Sequence, residues 1–366
     1  MRRIEFLQRG SAALAVTAAP RAAWASAQPD SFRPSPGSWR TFKITTTATI
    51  AAHGAPARIW IPIPAFDEAD WMRPGATKWE TNAASVTIVD AGASKVKLLY
   101  AQFGPSTSVA RLTVISTASA RDLAVDLAQA GSGAPLSAAE FTFFTAPTKL
   151  QPTGGIVGET AKKIVGSSTD DLTKARLIYE WVVANSSRNP KTRGCGLGDV
   201  SFMLETGDLG GKCADINGLY VALARAAGLP ARDLYGIRVA PSRFGYKSLG
   251  ANSSVITKAQ HCRAEVFVQA YGWIPVDPAD VRKVMLEEPP GHLAADDPKV
   301  ADARQTLFGA WEGNYIAYND GHDVALPGSS GPELGFLMYP QAEVAAERRD
   351  SLAPDDFVYT IAAEEV

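Results

Sequence analysis

Residues 209–232 read Leu-Gly-Gly-Lys-Cys-Ala-Asp-Ile-Asn-Gly-Leu-Tyr-Val-Ala-Leu-Ala-Arg-Ala-Ala-Gly-Leu-Pro-Ala-Arg. Ile216, Tyr220, Leu223 and Ala227 recur at helical spacing, and Gly228 followed by Pro230 supplies a C-terminal stop. The pattern predicts a helix that opens at Cys213, with that thiol on the buried stripe in its first turn. A helix N-terminus carries partial positive charge and unpaired N–H groups, so a thiol placed there ionises more easily and becomes nucleophilic. A lone cysteine in an apolar stripe is most simply a small hydrophobe. Its neighbours in sequence decide between the two readings.

Upstream, residues 1–27 carry the pattern of an export signal: Arg2-Arg3, then Phe6-Leu7, a weakly apolar run over 11–19, and Ala25-Ser26-Ala27 as a small-residue cleavage pattern. The paired arginines indicate the twin-arginine route, although Ile4-Glu5 adds one residue before Phe-Leu. Cleavage there removes four arginines and one glutamate, and a chain of net charge −2 becomes one of about −5. A negative chain argues against nucleic acid or acidic lipid as its main partner. No other apolar run approaches the roughly 20 residues needed to span a bilayer. A periplasmic or secreted protein is therefore expected. Its three cysteines, Cys195, Cys213 and Cys262, are too few for a disulfide framework, and their spacings match no zinc pattern. No metal and no cofactor are expected.

The 366 residues, 46% of them hydrophobic, suit two or three globular domains. A Pro- and Ser-rich linker covers 28–38. Short β-branched runs at 40–50, 57–64, 85–89, 96–100 and 110–115, broken by Gly, Pro and Asn clusters, predict an antiparallel sandwich-like β domain over 39–150. Helices follow at 156–164 and 172–185, the second capped by Asp170-Asp171. A glycine-rich loop at 193–200 lacks the Walker and dinucleotide patterns. After the Cys213 helix come a strand at 232–239, a polar connection at 241–254 suited to lie over a site, and a hairpin of 261–268 with 272–277 turning at Ala270-Tyr271. Residues 151–290 form the expected core. A β-rich region over 291–366 completes an α+β chain, with its clearest strands at 334–340 and 356–361.

A thiol nucleophile needs a base within reach and a third group to orient that base. The chain has four histidines. His53, His292 and His322 fall in Gly-, Pro- and Asp-containing turns and read as surface residues. His261 opens one strand of the hairpin and Asp277 ends the next, which makes them the candidate base and orienting carboxylate. With a turn at Ala270-Tyr271, Asp277 faces about Ala264, three positions from His261 and roughly 10 Å away along a flat ladder. A bulge, a longer turn or strong twist is required to join them. Strand alternation puts Cys262 on the opposite face, toward the core, and Glu265 on the His261 face, where a solvated strand residue is one reading. Asp215 and Asn217 read as polar groups of the helix start.

Gly-Lys-Cys-Ala-Asp with its Ala-Arg-Ala-Ala-Gly-Leu-Pro-Ala-Arg tail, then His261-x-x-x-Glu-Val, then Tyr-Gly-Trp-Ile-Pro-Val-Asp277-Pro, resembles the transglutaminase-like superfamily over about 172–280. The resemblance implies a papain-like core in which a cysteine-bearing helix packs on an antiparallel sheet, with Cys213 as nucleophile, His261 as base and Asp277 as orienting carboxylate. It implies acyl transfer on a peptide, protein or cell-wall substrate through a thioester, more in the manner of a protease or amidase than of a crosslinking enzyme. Arg263 departs from the pattern, since members often carry an aromatic residue there; a charge in the cleft would favour an acidic substrate group. Two other readings remain: a binding or scaffold protein with a relic triad, and a thiol redox protein, against which the absence of Cys-x-x-Cys counts.

Overall fold

The computed structural model describes residues 31–90, 94–131 and 133–366. The export-signal reading of 1–27 lies outside the described residues. Two antiparallel sheets face each other in the β region. One runs, in order, Val358–Glu365, Arg40–Ala51, Val109–Ala120 and Met72–Thr81; the other runs Glu347–Arg348, Gln341–Val344, Ala57–Pro62, Lys97–Phe103 and Ser85–Asp90. Alternation along Arg40–Ala51 turns Phe42, Ile44, Ala48 and Ile50 inward, and Ile59, Ile61, Leu99, Leu112 and Val114 share a core with the latter two. Strands from the C-terminal region thus complete both sheets of the N-terminal one. Phe32, inside the stretch expected as a linker, is buried against Phe244 and Tyr246.

A third antiparallel sheet, ordered Gly272–Val276, Gln260–Val268, Ala231–Arg238 and Tyr315–Asn319, lies between the β region and the helices. One face packs against Trp71, Met72 and Trp311, and the other against the helices. Burial on both faces explains why every residue of Ala231–Arg238 is buried. The helix Cys213–Ala226 packs on the second face, with helices Gly155–Val165 and Asp171–Asn185 outside it. Residues 213–225 are therefore buried all round rather than along the one expected stripe. Gly218 lets the loops at Gln151 and Gly198 close over the helix: a Cβ there would sit 2.9 Å from Gln151 Nε2. Each fully buried Leu, Ile or Val of this helix contributes about 1.5–3 kcal/mol to folding.

The expected strands at 40–50, 57–64, 85–89, 96–100 and 110–115 are present. The edge strand Met72–Thr81 was not expected, because Pro74-Gly75 reads as a turn. Its register shifts between Pro74 and Thr77, and an edge with a bulge is where a sheet tolerates proline. Helices Ala138–Thr145, Val200–Thr206, Pro278–Glu287 and Pro298–Thr306 also fall in stretches without a helical expectation. Among the described residues, no helix is long and apolar enough to cross a membrane.

Candidate active site

Cys213 is the first residue of its helix and is buried. Its N-terminus is held by Asp215, whose carboxylate accepts from the backbone N–H groups of Lys212, Leu197 and Gly198 at 2.9, 3.0 and 2.9 Å. This fits the expected helix-start role and also ties the 193–198 loop over the helix end. A Cβ on Gly196, where φ is 96°, or on Gly211 would collide with that carboxylate. The N–H of Ala214 donates to the Cys195 carbonyl at 2.9 Å. The Cys213 N–H has no acceptor among the described residues and is available to a ligand.

Hairpin register brings His261 and Asp277 together. Val268 pairs with Gly272, so the turn holds three residues, 269–271, rather than two. The extra residue moves the ladder by one: Val276 pairs with Ala264, and Asp277 follows opposite Arg263, two positions from His261 on the same face. Diagonal neighbours of this kind lie within side-chain reach. His261 Nε2 and Asp277 Oδ2 are 2.7 Å apart. Asp277 also caps the helix Pro278–Glu287, accepting from the Asp280 N–H through Oδ1 at 3.0 Å, with Pro278 at the favoured first helical position.

Asn217 does more than begin a helix. Its Nδ2 donates to Asp277 Oδ1 at 3.0 Å and to the Cys262 carbonyl at 2.8 Å, and its Oδ1 accepts from the Ala279 N–H at 3.1 Å. One buried amide therefore joins the thiol helix, the histidine strand and the aspartate cap. Replacing it by the isosteric but apolar leucine removes a hydrogen bond from each of three buried polar partners. Asn217→Leu is expected to lower kcat about 10- to 100-fold by freeing Asp277 to shift, with KM changed less than threefold; steady-state kinetics on any turned-over substrate check this.

Asp280 is a second carboxylate beside His261, at 3.5 Å from Nε2, and Arg238 grips it with two bonds of 2.6 Å. Against the effect of burial, Arg238 and His261 hold Asp280 well below the usual carboxylate range. Burial, together with repulsion from Asp280, pushes Asp277 up despite His261 and Arg263. For His261, burial and the Arg238 charge oppose protonation, but Asp280 and Asp277 outweigh them and its pKa is raised. Ligand atoms of His261, Asp277 and Asp280 lie within 4.8 Å of one another, close enough to hold a divalent cation. Yet Asp277 Oδ1 is occupied by Asn217 and a backbone N–H, and both Asp280 oxygens by Arg238, so the donors suit a hydrogen-bond network better than a metal centre.

Cys213 and His261 line one cavity of about 610 Å³, together with Cys195 and with Gly250, Ala251, Asn252 and Ser253 from the connection expected to cover a site. In the sequence Cys195 entered only as a possible redox partner of Cys213, since its glycine loop carried no signal that places it in the cavity. Hydrogen bonds from the Cys213 and Cys262 thiols and from Tyr339 lower the pKa of Cys195 against burial, whereas burial pushes Cys262 up. All three cysteines are free and buried. Cys262 faces the core, as alternation predicts.

Three expectations are corrected. Arg263 does not enter the cleft; it is buried, with its guanidinium over the rings of Trp311 and Tyr315 at 4.9 and 4.5 Å. It fills with an aromatic-stacked cation the face where an aromatic residue was expected. Glu265 is not solvated; it is buried against Arg232, Nε to Oε2 2.7 Å, and burial pushes its pKa up to about 7. His322 is not a surface residue, since its ring lies 3.2 Å from Asp233 with little exposure.

A family model described as the transglutaminase-like superfamily matches residues 158–278. An uncharacterized protein of Haemophilus influenzae is 33% identical over 325 residues, covering 82% of this chain and 84% of its own. Among solved structures, a provisionally assigned cysteine protease from Cytophaga hutchinsonii aligns over 90% of this chain and 99% of its own, at 15% identity and a TM-score of 0.49. The periplasmic domain of TgpA from Pseudomonas aeruginosa aligns over 67% and 88%, at 14% identity and a TM-score of 0.33.

Proposed function

The chain belongs to the transglutaminase-like superfamily, and from that premise we propose that it is an exported cysteine acyl-transfer enzyme, acting on peptide or carboxamide bonds as a protease or amidase. One observation carries the reading. Asp277 binds His261 through Nε2 at 2.7 Å, while Nδ1 makes no bond among the described residues and the ring lines the cavity that Cys213 also lines. A histidine whose Nε2–H is committed to a carboxylate presents Nδ1 as the proton acceptor.

In the proposed reaction the Cys213 proton passes to His261 and the sulfur attacks the amide carbonyl carbon. The unpaired Cys213 N–H faces the developing oxyanion. His261 returns the proton to the leaving nitrogen as the C–N bond breaks, which leaves a thioester. Water, deprotonated by His261, then releases the acid and restores the thiol. Charge supports this assignment: Asp280 and Asp277 favour the His261 imidazolium that the proton transfer produces. Export rests on the leader read in residues 1–27.

Alkylation tests the reading. Iodoacetamide is expected to label Cys213 faster than the same thiol in denatured protein, with the advantage lost in His261→Ala. Because His261 is raised, the imidazolium persists above the ordinary value of about 6.5 and is lost as pH rises through the higher native one. The alkaline limb of amide turnover should therefore lie above pH 6.5. Equal labelling of native and denatured thiol, unaffected by His261→Ala, would instead fit a binding protein with a relic triad.

A further inference from the structure

The walls of the Cys213 cavity are strongly one-signed. Arg188, Arg193, Lys212, Arg238, Lys258 and Lys283 line it, and among the described residues no Asp or Glu does. The whole chain has net charge −2, so this charge is concentrated rather than general. Its counter-ions are not among the lining residues and are too few. Arg238 is matched by Asp280 and Arg193 by Asp350, while Glu287 serves both Arg188 at 2.8 Å and Lys283 at 3.9 Å. Lys212 and Lys258 belong to no ion pair among the described residues. Six cations thus face three carboxylates.

The surplus sits beside the thiol. Lys212 directly precedes Cys213, and Arg188 pairs in register with Gly211 on the parallel two-residue ladder that leads into the thiol helix. Helix Pro278–Glu287 packs against that ladder and brings Lys283 to the same wall. Burial and the like charge of Arg238 lower the pKa of Lys283, a situation that a bound anion would relieve. Leu352, Pro354, Phe357 and Val358 give the same cavity apolar lining, with Val358 largely exposed. A site with both cationic and apolar lining selects a ligand with both characters, and field lines focused in a concavity raise the local concentration of anions.

We propose that the acyl-transfer substrate is an acidic peptide or amide, with a free carboxylate near the scissile carbonyl received by Lys212 and Lys283 while its apolar part lies on the 352–358 wall. This rests on Cys213 as the nucleophile, and the selectivity is readable without turnover. Full-length Cys213→Ala protein is titrated with two acetylated, amidated hexapeptides, Ala-Ala-Glu-Glu-Ala-Ala and its Gln-Gln counterpart. The acidic peptide is expected to bind about tenfold tighter or more at 50 mM salt, with the gap narrowing at 500 mM. Adding Lys212→Gln and Lys283→Gln should close the gap to about twofold, whereas Lys163→Gln, on the exposed face of helix Gly155–Val165, should leave it. Equal affinities, no detectable binding of either peptide at millimolar concentration, or a gap that survives loss of both lysines overturns the proposal. Failure of the alkylation test with the affinity gap intact overturns the nucleophile reading alone; equal affinities with fast alkylation overturn the acidic-substrate reading alone.

Discussion

Cys213→Ala is expected to lower amide turnover by about 10⁴-fold or more, and His261→Ala by a comparable factor, with the double variant little worse than either. Residues acting as one unit fail together, because the histidine has no proton to take without the thiol and the thiol no acceptor without the histidine. Cys195 makes this result informative. Its thiol lines the same cavity, so proximity alone does not separate the two. Position does: Cys213 begins the helix, where its own N–H is free for an oxyanion, whereas the Cys195 carbonyl is committed to Ala214 and its thiol lies 3.5 Å from the Gln260 carbonyl. A Cys195→Ala, Cys262→Ala double variant should keep turnover within about tenfold of the unmodified protein. Loss of turnover there, with Cys213 intact and the fold preserved, would move the nucleophile to Cys195 or make the site a dithiol.

Arg238→Met is expected to destabilise the fold by about 3–5 kcal/mol, the cost of leaving one member of a buried ion pair uncompensated. Arg238 is 2% and Asp280 1% exposed, and Arg238 also donates to the Leu249 carbonyl. Without the guanidinium, Asp280 and Asp277 face each other beside the His261 Nε2, and one carboxylate must take a proton or the pair must move apart. Sign follows from the direction of the shift. Asp280 is held below the ordinary carboxylate range, so its contribution is complete above about pH 4 and is lost as pH falls toward the lower native value. Arg238→Met should lose that dependence and gain stability on mild acidification. Urea unfolding at pH 3, pH 5 and pH 7 measures both effects, and Arg238→Met/Asp280→Asn should recover most of the loss. A single variant within about 1 kcal/mol of the parent would contradict a tightly coupled pair.

Local periodicity made much of this chain legible. Alternating β-branched runs marked five strands of the sandwich, and the apolar spacing after Lys-Cys marked the helix that presents Cys213. What escaped depends on partners distant in sequence. Strand Val358–Glu365 pairs with Arg40–Ala51, and Gln341–Val344 with Ala57–Pro62, associations for which no local pattern exists. Arg263 was expected in the cleft, and Glu265 left open to solvation, because strand alternation gives a face but not what covers it; the Tyr315–Asn319 strand and Trp311 cover Arg263, and Arg232 meets Glu265. The missing contact between His261 and Asp277 came down to one residue in a turn, since Gln269 joins Ala270-Tyr271 and shifts the register. Asn217 could have been found: an amide one turn after Cys213, at the start of the apolar run 219–224, requires partners once buried. The Arg238–Asp280 pair had no such signal, its members being 42 residues apart.

Mass analysis of an acid-quenched reaction tests the central claim most directly. The mature protein is incubated with a mixed pool of peptides and cell-wall fragments, quenched, and digested. The account predicts an acyl mass on the Cys213-containing fragment, removed by hydroxylamine and absent from His261→Ala. No adduct on a folded protein that turns over the pool, or an adduct carried by Cys195, would contradict it.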